Sequence, residues 1–219
     1  MFDSFLTDAV DYLPMLLQGA LTTIYITATA LVIATVLGLF WALLRVSGIA
    51  PLAHFSRVLT NVIRGIPIIV VLFYMYFVIP EIGISLTAFQ AGSLGLGIAY
   101  SSYMAEVFRA GIDAVDVGQF EAAQSIGMSR AKLMRRVVLP QALRIALPPY
   151  GNNVVMMLKD SSQTAVITVV ELSMQSKLIA AATFQSSTVF TLVALMYLAM
   201  SLPMMFAIGR LEKRMGTQK

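Results

Sequence analysis

Residues 121–140 read EAAQSIGMSRAKLMRRVVLP, and this stretch decides the fold because of what surrounds it. Nearly everything before and after it is apolar enough to sit in lipid, whereas it carries Glu121, Arg130, Lys132, Arg135 and Arg136 and must therefore lie in water. Gly127 separates two segments of good helix formers, Ala122–Gln124 before it and Ala131–Met134 after it. The pattern predicts helix, sharp turn, helix. Asp116 and Gln119 have capping-box spacing for the first helix, and Ser129 stands where it can cap the second.

Working outward, the chain has 219 residues, 58% of them hydrophobic and 12% charged, with a mean hydropathy of +0.83. These values place it among integral membrane proteins. It has no cysteine and one histidine, His54, so neither a thiolate nor a histidine-built metal site is expected. The fourteen methionines, which include the adjacent pairs Met156–Met157 and Met204–Met205, read as adaptable packing. No Gly-Lys dipeptide occurs, so the chain has no phosphate-cradling loop of its own, and no nucleophile elbow or zinc-protease motif is present. No catalytic residue is assigned.

Five spans are expected. The first dozen residues carry Asp3, Asp8 and Asp11 without a basic residue, which excludes a cleavable signal peptide there. The first span runs from Leu16 to Leu44, and a basic loop over 45–64 follows, broken at Gly48 and Pro51 and containing a candidate amphipathic interfacial helix. Trp41 and His54 read as interfacial. The second span covers roughly Ile66 to Val78, with an extension back over Val58–Ile63 open to it, and ends at Pro80, Glu81 and Gly83. The third runs from Leu86 to Phe108 and is marked by Ala88, Ala91, Gly92, Gly95 and Gly97, small residues that let helices approach closely in lipid. After the aqueous loop comes a fourth span, Gln141–Leu158, where Pro148, Pro149, Tyr150, Gly151, Asn152 and Asn153 predict a broken or unwound helix against a water-filled path. Lys159-Asp160-Ser161-Ser162 reads as an adjacent ion pair and a turn, residues 159–185 as mixed and polar, and Val189–Ile208 as the fifth span.

Of the fifteen basic residues, only Lys159 and Lys177 fall outside the first loop, the central loop with its flanks, and the tail ending in Lys219. With alternating spans, those three regions share one side. The positive-inside rule makes that side cytoplasmic and puts the amino terminus outside. Glu106 and Arg109, three apart on a helix, share a face and are expected to pair.

The central stretch resembles a known family. Glu121, Ala122, Ala123, then Gly127, then Val137, Val138, Leu139 and Pro140 look like the EAA loop of ATP-binding-cassette importer permeases, with Val137 departing from the usual isoleucine. Arg64-Gly65-Ile66-Pro67, Ala105 to Ile112, and Lys159-Asp160-Ser161-Ser162 extend the resemblance to the polar amino-acid branch. The resemblance implies a single all-α polytopic permease domain over 1–219 in the bacterial inner membrane, with a cytoplasmic coupling loop. Glu121, Ala122, Ala123, Gly127 and Arg130 would engage an ATPase subunit, the two alanines keeping one helix face thin and Glu121 and Arg130 anchoring it. Glu106, Asn152 and Asn153 are the candidate substrate-pathway residues. The implied partners are the cytoplasmic ATP-binding subunit, which binds ATP so that this chain needs no cofactor, a second permease chain, identical or homologous, and an extracytoplasmic solute-binding protein. Membrane lipid surrounds the chain, and nucleic acid is not a partner. The alternatives are a permease of the same kind for an osmolyte or another small solute, an ATPase-independent transporter or channel, and a membrane-embedded enzyme.

Overall fold

The structure, a computed structural model, describes residues 2–214, with side chains from Asp8 onward. The side chain of Asp3 and the whole of Lys219 lie outside the described residues. Nine α-helices and four short π or 3-10 turns follow one another, with no strand among the described residues. The helices are α1 (Phe2–Val46), α2 (Ala50–Gly65), α3 (Ile68–Phe73), α4 (Ala88–Asp113), α5 (Val117–Ser125), α6 (Arg130–Leu133), α7 (Leu139–Asp160), α8 (Leu172–Thr183) and α9 (Ser186–Arg214).

The five expected spans correspond to α1, the segment Ile68–Ile82 that begins with α3, α4, α7 and α9. Asp8–Val46 and Ser186–Arg214 are each long and apolar enough to cross a bilayer alone. Ile68–Ile82 and Arg130–Ile167 reach that standard together with Ala50–Gly65 and Leu172–Thr183, from which they are bent by 98° and 52°. Glycines, serines and tyrosines lower the hydropathy of α4. Its 26 residues are nonetheless long enough to cross, at about 39 Å, and its neighbours cover it on several sides.

α4 is the helix on which the others are assembled, and its glycines set the spacing. A Cβ at Gly97 would lie 2.6 Å from Ile33 Cγ2 of α1, and one at Gly38 of α1 would lie 2.5 Å from Met104 Cβ of α4. Gly95 meets Leu72 of α3 at 2.9 Å, and Gly111 meets the Ala142 carbonyl of α7 at 2.7 Å. Ile26, Ala30, Ala34, Leu72, Leu96, Met104 and Met157 fill the central core. A second cluster at one end joins Leu16, Leu172, Ile179 and Val189, and a third at the other end holds the central loop. Hydroxyls inside α1 satisfy themselves, since Thr23, Thr27 and Thr35 donate to carbonyls one turn back at 3.1, 2.7 and 2.7 Å.

The extension of the second span back over Val58–Ile63 is not found. Those residues belong to α2, because Pro67 forces Ile66 into extended backbone (φ −98°, ψ 129°) and the chain turns there. α2 is the amphipathic helix expected of the basic loop, entered through Gly48 at φ +77° with Pro51 in its first turn. Its polar Ser56 and Thr60 are buried, while Phe55, Val58 and Val62 are exposed. His54 is exposed on it, and Trp41 packs edge-on against Phe55 with ring centroids 6.5 Å apart.

The polar region 159–185 holds a 3-10 turn (Ser161–Ile167) and α8, which the sequence reading did not anticipate. The Lys159–Asp160 ion pair does not form. Asp160 accepts a hydrogen bond from the Tyr100 hydroxyl at 2.7 Å instead, although the expected turn follows directly. Glu171, fully buried, caps α8 by accepting from the Ser173 and Met174 amides at 2.9 and 2.8 Å and also accepts from Tyr197 of α9 at 2.9 Å. Glutamate is not a favoured cap, so local pattern offered no signal for it.

Gly97→Leu is expected to force α1 and α4 apart and to cost roughly 1–3 kcal/mol, the usual range for overpacking. Gly209→Ala, inside α9 where nothing lies within 4 Å of an added Cβ, should leave stability unchanged or slightly raised. Thermal unfolding of the purified full chain checks this, and equal melting temperatures for the two variants would refute the spacing argument.

Candidate functional site

Three polar features interrupt the apolar bundle: the loop between α4 and α7, a hollow beside α2, and one face of α7.

In the loop, Asp116 caps α5 by accepting from the Gly118 amide at 2.7 Å. The expected capping box does not form: Asp116 bonds the second amide of the helix rather than that of Gln119, and the Gln119 side-chain oxygen accepts from Gln141 Nε2 at 3.4 Å. α5 ends as the glycine predicted. Gly127 sits at φ +74°, with the Met128 amide donating to the Ala123 carbonyl at 3.0 Å and the Gly127 amide to that of Gln124 at 2.9 Å. This is a Schellman termination, whose left-handed residue favours glycine. Ser129 occupies the N-cap of α6 with extended backbone, but its side chain makes no capping hydrogen bond.

The two alanines of the loop do not share one outward face. Successive helix positions lie about 100° apart, and Ala123 is buried against Ile112, Val115, Leu133, Val138 and Ala142 while Ala122 is exposed. Ala123 therefore seats α5 on the body of the protein. The outward surface is made by Glu121, Ala122 and Gly127, flanked by Val117 at 67% and Ile126 at 74% exposure. Arg130 is exposed at the start of α6, with its guanidinium beside Gly48 in the α1–α2 turn. Neither Glu121 nor Arg130 forms an ion pair among the described residues.

The expected Glu106–Arg109 pair is present, but it belongs to a larger network. Glu106 Oε2 also accepts from Arg45 of α1 at 2.6 Å and lies 3.9 Å from Arg64 of α2, while Arg109 pairs with Asp113 as well. Arg45 donates further to the Thr60 hydroxyl, and Arg64 donates to Asn61 Oδ1 at 2.7 Å. The Arg45 side chain is only 8% exposed and that of Glu106 32%. Charges this far from bulk water need partners, and the carboxylate supplies one to three helices at once. Arg57, Asn61 and the charged residues of this network line a hollow of about 450 Å³. Sequence reasoning placed Arg45, Arg57 and Arg64 on the basic side but not in this cluster, because Arg45 and Glu106 are 61 positions apart.

The proline-rich break expected in the fourth span is absent. α7 is helical without interruption from Leu139 to Asp160, with Pro148 and Pro149 inside it. Each proline leaves the carbonyl one turn back without its usual donor, yet packing holds the helix on two sides. Ala142 and Ala146 lie against Gly111 of α4, and Gly151 lets Ile208 of α9 come within 2.7 Å of where a Cβ would stand. On the face left over, Pro149, Asn152 and Met156 are exposed and Asn153 is half-buried. Neither asparagine side chain makes a hydrogen bond among the described residues. The structure brings Asn152 and Asn153 together, but places Glu106 in the separate arginine-lined hollow.

Comparison with known proteins fits these features. Residues 34–217 match the family described as "Binding-protein-dependent transport system inner membrane component". The chain is 39% identical over 191 residues to the probable amino-acid ABC transporter permease protein YckA of Bacillus subtilis, covering 87% of this chain and 84% of that protein. It is 36% identical over 205 residues to the probable glutamine ABC transporter permease protein GlnM of the same organism, covering 94% and 95%. A crystal structure of an amino acid ABC transporter with histidines superposes with a TM-score of 0.90 at 37% identity, over 95% of this chain and 97% of that one.

Proposed function

Because the chain belongs to the family of binding-protein-dependent transport system inner membrane components, we propose that it is the permease through which an ATP-driven importer passes a polar amino acid or a close analogue. Its place in an importer, as a transport component embedded in the inner membrane, follows from the family and the fold. The observation that carries the cargo is the superposition on an amino acid ABC transporter at 37% identity over nearly the whole chain. ATP hydrolysis is assigned to a separate cytoplasmic subunit, delivery of cargo to an extracytoplasmic binding protein, and the other half of the pathway to a second permease chain. The loop side is taken as cytoplasmic, the amino terminus as external, and residues 1–219 as one permease domain. A reporter fused after Lys219 should behave as cytoplasmic and one after Glu81 as external, and the reverse pattern would overturn this orientation.

The coupling mechanism is mechanical. α5 presents Glu121, Ala122 and the Gly127 turn outward, Arg130 flanks them, and Ala123 roots the helix in a cluster continuous with α4 and α7. Force applied to α5 by a moving ATPase subunit would pass through that cluster into two spans. The cargo path is assigned to the uncovered face of α7. Two amides without partners would be costly against lipid, so this face meets water or the second chain. With the helix intact, the Asn152 and Asn153 side chains, rather than unwound backbone, supply the hydrogen bonds that a zwitterion requires. Glu106 stands apart among arginines, and a cationic cargo would reach its carboxylate only by displacing one of them.

Gly127→Val is expected to distort the turn, because a β-branched residue resists positive φ. Uptake should fall at least tenfold while membrane insertion persists, and normal cargo-stimulated ATPase activity in the reconstituted complex would refute coupling through this loop. In the same complex, Asn153→Leu should lower uptake and reorder preference among amino acids. Unchanged cargo ranking with poorer assembly for Asn152→Leu and Asn153→Leu would assign both residues to packing.

A further inference from the structure

The arginine-lined hollow beside α2 has more positive charge than its own carboxylates use. Four guanidinium groups, of Arg45, Arg57, Arg64 and Arg109, surround two carboxylates. Both carboxylates are engaged: Glu106 by Arg45 and Arg109, Asp113 by Arg109. Arg57 forms no ion pair among the described residues, and Arg64 reaches Glu106 only at 3.9 Å. An ammonium group or a zwitterion entering the hollow would find no free carboxylate. An oxyanion would find two guanidinium groups, whose planar forks suit phosphate.

The helix that carries those groups has a second property. Arg57, Asn61 and Arg64 recur at helical spacing on the side of α2 facing the hollow, and Val58 and Val62 adjoin them round the helix. Phe55, Val58 and Val62 are 55%, 47% and 54% exposed. A helix with one apolar exposed flank and one basic flank lies at the headgroup level of a bilayer, with acyl chains against the first and headgroups against the second. Free phosphate would use only the basic flank. A diacyl phospholipid would use both.

We infer that the hollow lined by Arg57, Arg64 and Asn61 binds the phosphate of an anionic phospholipid, such as phosphatidylglycerol, with its acyl chains along Phe55, Val58 and Val62. The site ties α2, and through Glu106 the ends of α1 and α4, to lipid of the leaflet on the loop side. It rests on the proposed orientation only for the choice of leaflet and is independent of the cargo.

Trp41, the chain's single tryptophan, lies beside Phe55 and reports on lipid at this flank. Brominated phosphatidylglycerol and brominated phosphatidylcholine are titrated into the purified full chain in detergent, and quenching of Trp41 is followed. Phosphatidylglycerol is expected to quench at least tenfold more tightly. Arg57→Gln, an exposed residue without an ion pair, should reduce that preference to within threefold, Arg57→Glu should abolish it, and Lys159→Gln should leave it intact. Equal quenching by the two lipids in the wild-type chain, or full preference retained in Arg57→Gln, would overturn the proposal. Loss of the preference in a few millimolar inorganic phosphate, but not in chloride of matched ionic strength, would overturn the lipid source in favour of a soluble phosphate. Quenching does not depend on transport, so its failure leaves the proposed cargo and coupling standing, and their failure leaves the lipid site standing.

Discussion

Close contact between α1 and α4 is the constraint on which the rest of the fold depends. Lipid offers no hydrophobic drive to bring two apolar helices together, so contact has to come from backbones near enough for dense packing. Gly38 and Gly97 provide this between α1 and α4, and Gly95 and Gly111 repeat it toward α3 and α7. Most contacts of α4 are therefore with other helices, and its modest hydropathy is a consequence: a helix surrounded by protein can carry Ser93, Ser101 and Ser102 buried within it.

Charge is confined by the same architecture. At the loop end, Glu106 gathers arginines from α1, α2 and α4, so that a carboxylate and a nearly buried guanidinium compensate each other. At the opposite end, Glu171 is wholly buried and is compensated by amides of α8, by Tyr197 and, at 3.5 Å, by Thr23. One cluster gathers charges of both signs, with guanidinium in excess. The other is a single acid satisfied by neutral donors. The first lines a hollow of about 450 Å³.

The loop and the bundle are joined through Ala123, and this changes the sense of the EAA stretch. A thin face made by two small residues would describe a helix that merely fits a cleft. With Ala123 turned inward against Leu133, Val138 and Ala142, α5 is rooted in the body of the protein. Its outer surface is left to Glu121, Ala122 and the apolar Val117 and Ile126.

The sequence by itself determined the features that depend on near neighbours or on solvent. Composition required a membrane, the charged stretch required an aqueous loop, and Gly127 required a left-handed turn, because each follows from transfer free energy or local sterics. The Glu106–Arg109 pair was legible for the same reason, being three residues apart on one helix. Tertiary structure alone decided the rest. Pro148 and Pro149 have a strong local tendency to break a helix, yet α7 stays whole because α4 and α9 grip it on two sides. Arg45 could not be read as a partner of Glu106, nor Asp160 as a partner of Tyr100, since the energy of those contacts exists only once helices distant in sequence have packed. Glu171 looked like one polar residue among several until the fold removed it from water, leaving its carboxylate dependent on α1, α8 and α9.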